Sequence, residues 1–245
     1  MEAFSFWIGL GASLGLWRVS QGVRRPQVND RLNAALLTMA GSLIGARLFF
    51  VLVHIAYFSA HPLEALAFWQ GGLSWPGAVL GAAGAAVALS FWQDIPLPQA
   101  LDQLAPLAPP LALTAWLGCW QAGCGYGPQV AAGSFLALPG RDESGLVTLR
   151  LPVQLLAALS LLAYYAWLEL KAKLAPASGQ KASLIALGLA LNLLFFSFIQ
   201  ADPALYWNGL RLNTWAALIF TLCALAATLY TFRIDPRKRL RHDAR

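Results

Sequence analysis

Long apolar runs separated by short polar or Pro/Gly-containing stretches organise this chain. The runs cover residues 3–19, 32–58, 77–92, 104–124, 151–170, 182–199 and 212–232. Each is close to the roughly 20 apolar residues that a helix needs to cross a bilayer. The pattern predicts an all-α polytopic membrane bundle of about seven transmembrane helices. Pro106, Pro109 and Pro110 interrupt the fourth run. The predicted connections are a polar loop with Arg24, Arg25, Pro26, Asn29, Asp30 and Arg31, a turn at His61 and Pro62, and a loop over 93–102 with Pro96 and Pro98. They continue with the longest loop, over 125–150, a linker at 176–179, and a short loop with Asp202, Tyr206 and Trp207. Residues 1–232 read as one membrane domain and 233–245 as a basic cytoplasmic tail, and no internal repeat is evident. The first run has no basic residue before it and no clear small-residue cleavage site, so it reads as a span rather than a cleaved signal.

Composition agrees with this reading. The 245 residues are 58% hydrophobic and 11% charged, against roughly a quarter charged in soluble domains. The net charge of +6 does not indicate nucleic-acid binding, because the basic residues flank the apolar runs. With the N-terminus outside, the inside segments hold Arg18, Arg24, Arg25, Arg31, Lys171, Lys173, Lys181 and the tail residues Arg233, Arg237, Lys238, Arg239, Arg241 and Arg245. The outside segments hold only Arg141, Arg150 and Arg211. That bias predicts N-out, C-in. Trp69, Trp75, Tyr126, Tyr206 and Trp207 then face outward, where aromatic side chains suit the headgroup region. Three cysteines in apolar contexts do not make a disulfide scaffold.

Four stretches carry candidate chemistry. Arg47, in Gly45-Ala46-Arg47-Leu48-Phe49-Phe50, lies deep in an apolar run. A charge at the bilayer centre costs about 2.5–3.5 kcal/mol on insertion scales. Its guanidinium therefore either meets a phosphate or carboxylate ligand, or serves structure by pairing with a carboxylate such as Asp102 or by snorkelling. Gly71-Gly72-Leu73-Ser74-Trp75-Pro76-Gly77 breaks regular helix and forms either a cavity lining or a plain turn. Gly118-Cys119-Trp120-Gln121-Ala122-Gly123-Cys124-Gly125-Tyr126-Gly127 brings two thiols and several glycines together. A spacing of five does not put both thiols on one helical face, so a disulfide would need the helix to end near Gly123. Reactivity would need a basic neighbour that the adjacent sequence lacks, so both cysteines read as structural, and Cys223 reads as packing. In Arg150-Leu151-Pro152-Val153-Gln154-Leu155, Pro152 suits a first helical turn and Gln154 directs an amide into the bundle. Asp102 either caps the fourth span or pairs with a buried arginine. His54, His61 and His242 show no metal-ligand spacing, and neither a metal nor a cofactor is expected.

In this order and spacing, these stretches resemble the bacterial prolipoprotein diacylglyceryl transferase family from the first span to the last. Trp7-Ile8-Gly9-Leu10 resembles its Trp-Tyr-Gly-Leu opening, and the stretch around Arg47 its second-span motif. Gly71 to Gly77 resembles its Gly-Gly-Leu-Ser-Phe-His-Gly, and Asp102 with Ala105-Pro106 its Asp-x-x-Ala-Pro. Residues 116–127 fall on its Arg-x-Gly-Asn-Phe-x-Asn-Gly-Glu-x-x-Gly signature, and Pro152-x-Gln154-Leu155 on its His-Pro-x-Gln-Leu-Tyr-Glu. The resemblance implies a multi-pass protein of the bacterial inner membrane. Its family moves a diacylglyceryl group from phosphatidylglycerol to the thiol of a lipobox cysteine on a lipoprotein precursor. Such chemistry needs cationic donors for the phosphate and a base for the thiol.

The family's chemical residues are replaced here. Its signature arginine falls at Trp116, its asparagines at Cys119 and Ala122, and its glutamate at Cys124. Its third-span histidine falls at Pro76, a late arginine at Gln200 and the opening tyrosine at Ile8. The matching positions that remain are Arg47, Gly77, Gly118, Gly127 and Gln154, expected to contact lipid or phosphate, with Cys119 and Cys124 as candidate thiols. Two functions follow. One is a transferase with altered lipid or acceptor. The other is a catalytically inert paralogue that binds a phosphatidylglycerol-like lipid or a lipoprotein precursor, or serves as a subunit of a membrane assembly.

Overall fold

The computed structural model describes residues 2–21, 25–171 and 178–233. Arg24, Lys173, the first half of the 176–179 linker and the basic tail beyond Arg233, His242 included, lie outside the described residues. The described chain is mostly helical: α1 (Glu2–Ser20), α2 (Arg25–Val53), α3 (Ile55–Ala60), α4 (Trp75–Trp92), α5 (Leu97–Leu104), α6 (Ala108–Ala122), α7 (Val153–Lys171), α8 (Gln180–Ser197) and α9 (Leu212–Arg233). Among the described residues, five helical segments are long and apolar enough to cross a membrane: Gln27–Val53 of α2, and α4, α7, α8 and α9. The expected first and fourth spans, α1 and α6, stand outside that set. Gly9, Gly11, Gly15 and three serines dilute α1, and α6 has only 15 residues.

Four expectations are corrected. The polar stretch around Arg25, Asn29, Asp30 and Arg31 is the beginning of α2, not a loop. Pro26 is compatible with that position because a first-turn residue has no intrahelical use for its missing N–H. The run 32–58 is not one helix but breaks at His54, where φ is −110° and ψ is 32°. There the Nδ1–H of His54 donates to the Phe50 carbonyl at 2.9 Å. The loop 93–102 gives way to α5, with Pro98 in its first turn, so Asp102 is helical rather than a cap. A short 3-10 turn, Ala105–Leu107, then separates α5 from α6, and Pro109 and Pro110 stand in the first turn of α6. Finally, the loop 125–150 contains an antiparallel hairpin, β1 (Leu138–Arg141) and β2 (Val147–Arg150). A second, two-residue hairpin pairs β3 (Tyr206–Trp207) with β4 (Leu210–Arg211). Asn208 and Gly209 form its turn at φ 49° and 80°, the left-handed pair that a tight hairpin of this hand requires.

The chain divides into two compact units, one of residues 16–107 and one of residues 2–15 with 108 onward. In the first, α2 and α4 cross through Gly41 and Gly45 on one side and Gly77 and Gly81 on the other. In a bilayer small residues at a spacing of four let backbones approach, and dispersion contacts replace the missing hydrophobic drive. A Cβ on Gly45 would collide with the Gly77 carbonyl and lie 2.8 Å from the Gly81 Cα. Gly45→Ala should therefore lower stability by about 1–3 kcal/mol. Gly84→Ala, whose Cβ meets nothing within 4 Å, should leave the unfolding midpoint in detergent unchanged. In the second unit, Gly11 lies against Pro110 and Thr114 of α6, and Gly118 against Phe4 and Trp7 of α1. The Trp7 indole N–H donates to the Gln121 side chain at 3.0 Å.

Candidate functional site

In the first unit, Arg47 is held by main-chain oxygen. Its Nε donates to the Ala65 carbonyl at 2.9 Å and its Nη1 to those of Gly71 and Gly72 at 2.7 and 3.1 Å, while Nη2 donates to the Glu64 carbonyl. The segment 62–74 contains 3-10 turns and irregular backbone, which leaves carbonyls that no helix satisfies. The planar five-donor guanidinium reaches four carbonyls of this segment, of which that of Glu64 also accepts from the Ala67 N–H of its 3-10 turn. The rings of Phe50 and Phe58 lie 5.7 and 5.3 Å from its central carbon. The carboxylate of Asp102 is not among its hydrogen-bond partners. The α2 backbone also holds this segment, through Ser74 N–H to the Ala46 carbonyl at 3.1 Å. Gly77 serves the crossing of α2 and α4.

The second unit assembles a larger polar node where α6 ends and α7 begins. Helix α6 stops at Ala122, and Gly123 turns the chain at φ 77°, a left-handed cap that side chains with a Cβ seldom adopt. That reversal brings the Cα atoms of Cys119 and Cys124 to 4.7 Å, and their sulfurs are joined as a disulfide. Closing so short a loop stabilises by about 2 kcal/mol in the chain-entropy model. Replacing both cysteines by serine should lower the unfolding midpoint by that amount, and reductant should lower the unmodified protein toward the same value.

Beyond the disulfide, the Gln154 amide N–H donates to the Cys124 carbonyl at 2.8 Å. Gln154 is 2% exposed, and its Oε1 has no hydrogen-bond partner among the described residues. Gly127 fits against the Leu151 carbonyl and the Val153 side chain, where a Cβ would not. Tyr126 lies under the Arg150 guanidinium, 4.2 Å from ring centroid to central carbon. Arg150 pairs with Asp142 across the hairpin at 3.1 Å. The other oxygen of Asp142 accepts from the Ser144 hydroxyl at 2.6 Å and the backbone N–H of Ser144 and Leu146 at 3.0 and 2.9 Å. The Ser144 hydroxyl first, then those backbone donors and Arg150, hold the Asp142 carboxyl below its ordinary range against the opposing effect of burial. Burial, with the Glu143 carboxylate beside it, pushes the Tyr126 hydroxyl up to about 12.

Arg211 forms a second ion pair, with Asp202 at 2.9 Å, and also donates to the Asp202 carbonyl. Its other terminal nitrogen reaches the Gln200 side chain at 3.5 Å. The Trp116 indole N–H donates to Asn192 at 3.1 Å, and Asn192 in turn donates to the Ala157 carbonyl and the Ser160 hydroxyl. A Cβ built on Gly125 would lie 3.0 Å from the Gln200 amide nitrogen and 3.5 Å from the Trp116 ring. Trp116, Gly125 beside Cys124, and Gln200 therefore meet, although 84 positions separate the outer two.

The sequence-predicted residues thus fall into separate groups. Arg47 and Gly77 belong to the first unit; Gly118, Cys119, Cys124, Gly127 and Gln154 belong to the second. Asp142, Asn192 and Asp202 were missed. Asn192 carried a signal, being an amide inside an apolar run, which in lipid needs a partner. Asp142 and Asp202 carried none, since only the hairpins bring them to Arg150 and Arg211.

Apolar helices long enough to span, small-residue helix crossings and polar groups closed on one another define a multi-pass helical membrane protein. Its family follows from comparison: the prolipoprotein diacylglyceryl transferase model matches residues 1–230, and the chain belongs to that family. It is 36% identical over 104 residues, 38% of each chain, to the phosphatidylglycerol–prolipoprotein diacylglyceryl transferase of Bacillus licheniformis. To that of Rhodospirillum centenum it is 36% identical over 108 residues, 42% of this chain and 39% of the relative. These two matches span about two fifths of the relatives' length. A longer match, 26% identical over 249 residues, covers 96% of this chain and 74% of the enzyme so named from Streptomyces griseus.

Proposed function

We propose that this chain is a seven-span, N-out/C-in protein of the bacterial inner membrane that keeps the family's bundle and binds phospholipid without transferring diacylglyceryl. In this topology α1 and α6 complete the spans. The basic residues named above then collect on the inner side.

One observation carries the reading: three of the candidate cations, Arg47, Arg150 and Arg211, are already engaged by the protein itself, while Arg141 is exposed on the hairpin. Arg47 donates to four carbonyls, Arg150 pairs with Asp142, and Arg211 pairs with Asp202. Transfer to a thiol requires the thiol sulfur to bond the glyceryl carbon while the carbon–oxygen bond to phosphate breaks. A base must take the thiol proton, and cations must receive the departing phosphate. At the positions where the resemblance expects arginine and glutamate, Trp116 is buried on Asn192 and Cys124 is in a disulfide. Asp142 and Asp202 are spent on their arginines. This arrangement suits a binding protein or an assembly subunit better than a catalyst.

The test is complementation. A cell depleted of its own transferase is made to express this chain, and thioether lipid on a model lipoprotein precursor is measured by mass spectrometry. The expected result is no mass shift from a folded, membrane-inserted protein, together with phospholipid that copurifies with it. A mass shift would overturn the proposal and establish the second reading, a transferase with altered residues.

A further inference from the structure

The hairpin of β1 and β2 has its polarity inverted. Cross-strand partners share a face, and the register pairs Pro139 with Leu149 and Arg141 with Val147. All four are exposed, whereas on the opposite face Gly140 and Arg150 are buried, Thr148 is half-buried and Leu138, the partner of Arg150, is exposed. A hairpin with one face in water ordinarily turns its apolar residues in and its polar residues out. Here Arg150 and Thr148 face the protein while Val147 and Leu149 face away. Leu146 at the turn and Phe135 and Leu136 before β1 are exposed as well. Phe135 is 100% exposed, although the backbone around it is tied into turns by Ser134 N–H to Ala131 and Ala137 N–H to Ser134. Contiguous exposed apolar surface of this kind marks an interaction site.

We infer that this face docks on the lipid surface, with Phe135, Leu136, Val147 and Leu149 entering the headgroup–acyl boundary of the membrane that the helices cross. The tether argues for lipid. Only two residues separate β2, ending at Arg150, from α7, starting at Val153, and α7 is a spanning candidate. Three residue steps reach at most about 10 Å, so the Arg150 end of the hairpin is held near the height where α7 enters the bilayer, with Val147 at most about 20 Å along the chain from that point. Its apolar surface then continues the lipid-facing surface of α7. Arg141, exposed on the same face, suits anionic headgroups beside it. The inference stands on the hairpin and the span α7, and holds whether or not the protein transfers diacylglyceryl.

Full-length protein with Cys223→Ser, leaving the Cys119–Cys124 disulfide intact, would receive a single labelling cysteine by Phe135→Cys or, separately, Val147→Cys. Both positions are exposed, so neither change removes a core contact. An environment-sensitive fluorophore at each is read in phosphatidylcholine–phosphatidylglycerol bilayers, with and without lipids brominated near the headgroup end of the acyl chain. The expected result is a blue-shifted emission, most of which is lost when the lipids are brominated. Emission that brominated lipid leaves unchanged would overturn the proposal: red emission would place the face in water, and blue emission would assign it to a protein neighbour.

Discussion

Arg47→Ala is expected to lower the stability of the protein in detergent by about 3 kcal/mol, the scale of charge-assisted hydrogen bonds lost from a partly buried site. The loss comes from the acceptors left behind. The carbonyls of Ala65, Gly71 and Gly72 lose this guanidinium, and that of Glu64 keeps only the Ala67 N–H. Arg47→Lys should recover only part of the loss, because an ammonium offers three donors from one point where the guanidinium offers a planar fork. Limited proteolysis within residues 61–74 should accelerate in the alanine variant. The unfolding midpoint with and without added phosphatidylglycerol separates two roles. A structural pin predicts the same loss in both conditions, and a phosphate ligand predicts that stabilisation by lipid disappears with the side chain.

Asp142→Ala should also lower the unfolding midpoint clearly, since it leaves Arg150 buried without its counter-charge. Arg150 and Asp142 have side-chain exposures of 7% and 11%, so water does little to replace the partner. Arg150→Met should cost less, because a methionine packs against Tyr126 without requiring a charge partner. The pair also sets an acid limit. The Asp142 carboxyl is held below its ordinary value of 3.8, so its contribution to stability is complete above that value and is lost as pH falls through the lower folded value. An unfolding-midpoint profile should decline on that acid side in the unmodified protein. The decline should be shallower in Asp142→Asn, which has no carboxylate to protonate.

Much of the bundle was legible in the sequence. The helices from α4 onward that are long and apolar enough to cross a membrane follow the apolar runs closely: 77–92 became α4, 151–170 became α7, 182–199 became α8 and 212–232 became α9. The family was legible as well, through motifs that do not depend on the replaced residues. The misread stretches were polar or proline-bearing: the first turns of α2, the whole of α5, and the hairpin within 125–150. Prolines marked breaks there, but a proline is also a comfortable first-turn residue, and composition does not separate the two roles. The break at His54 was hidden because apolar residues continue across it.

The candidate site was less legible than the fold. The sequence named Arg47 as an unusual charge but not its ligands, and it left the pairing of Cys119 with Cys124 open because that depends on where α6 ends. It aligned Trp116, Cys124 and Gln200 with family positions, yet only the folded unit brings Trp116 and Gln200 against Gly125. What the sequence by itself determined is a set of helices apolar enough for a membrane to accept. That follows locally, because each helix satisfies its own backbone and a sufficiently long apolar run decides whether lipid accepts it. What only the tertiary structure decided is which groups satisfy the polar side chains. Trp116 meets Asn192 across 76 positions and Gln154 meets Cys124 across 30. A polar group buried in an apolar unit must find a partner, but no local rule says where along the chain that partner lies.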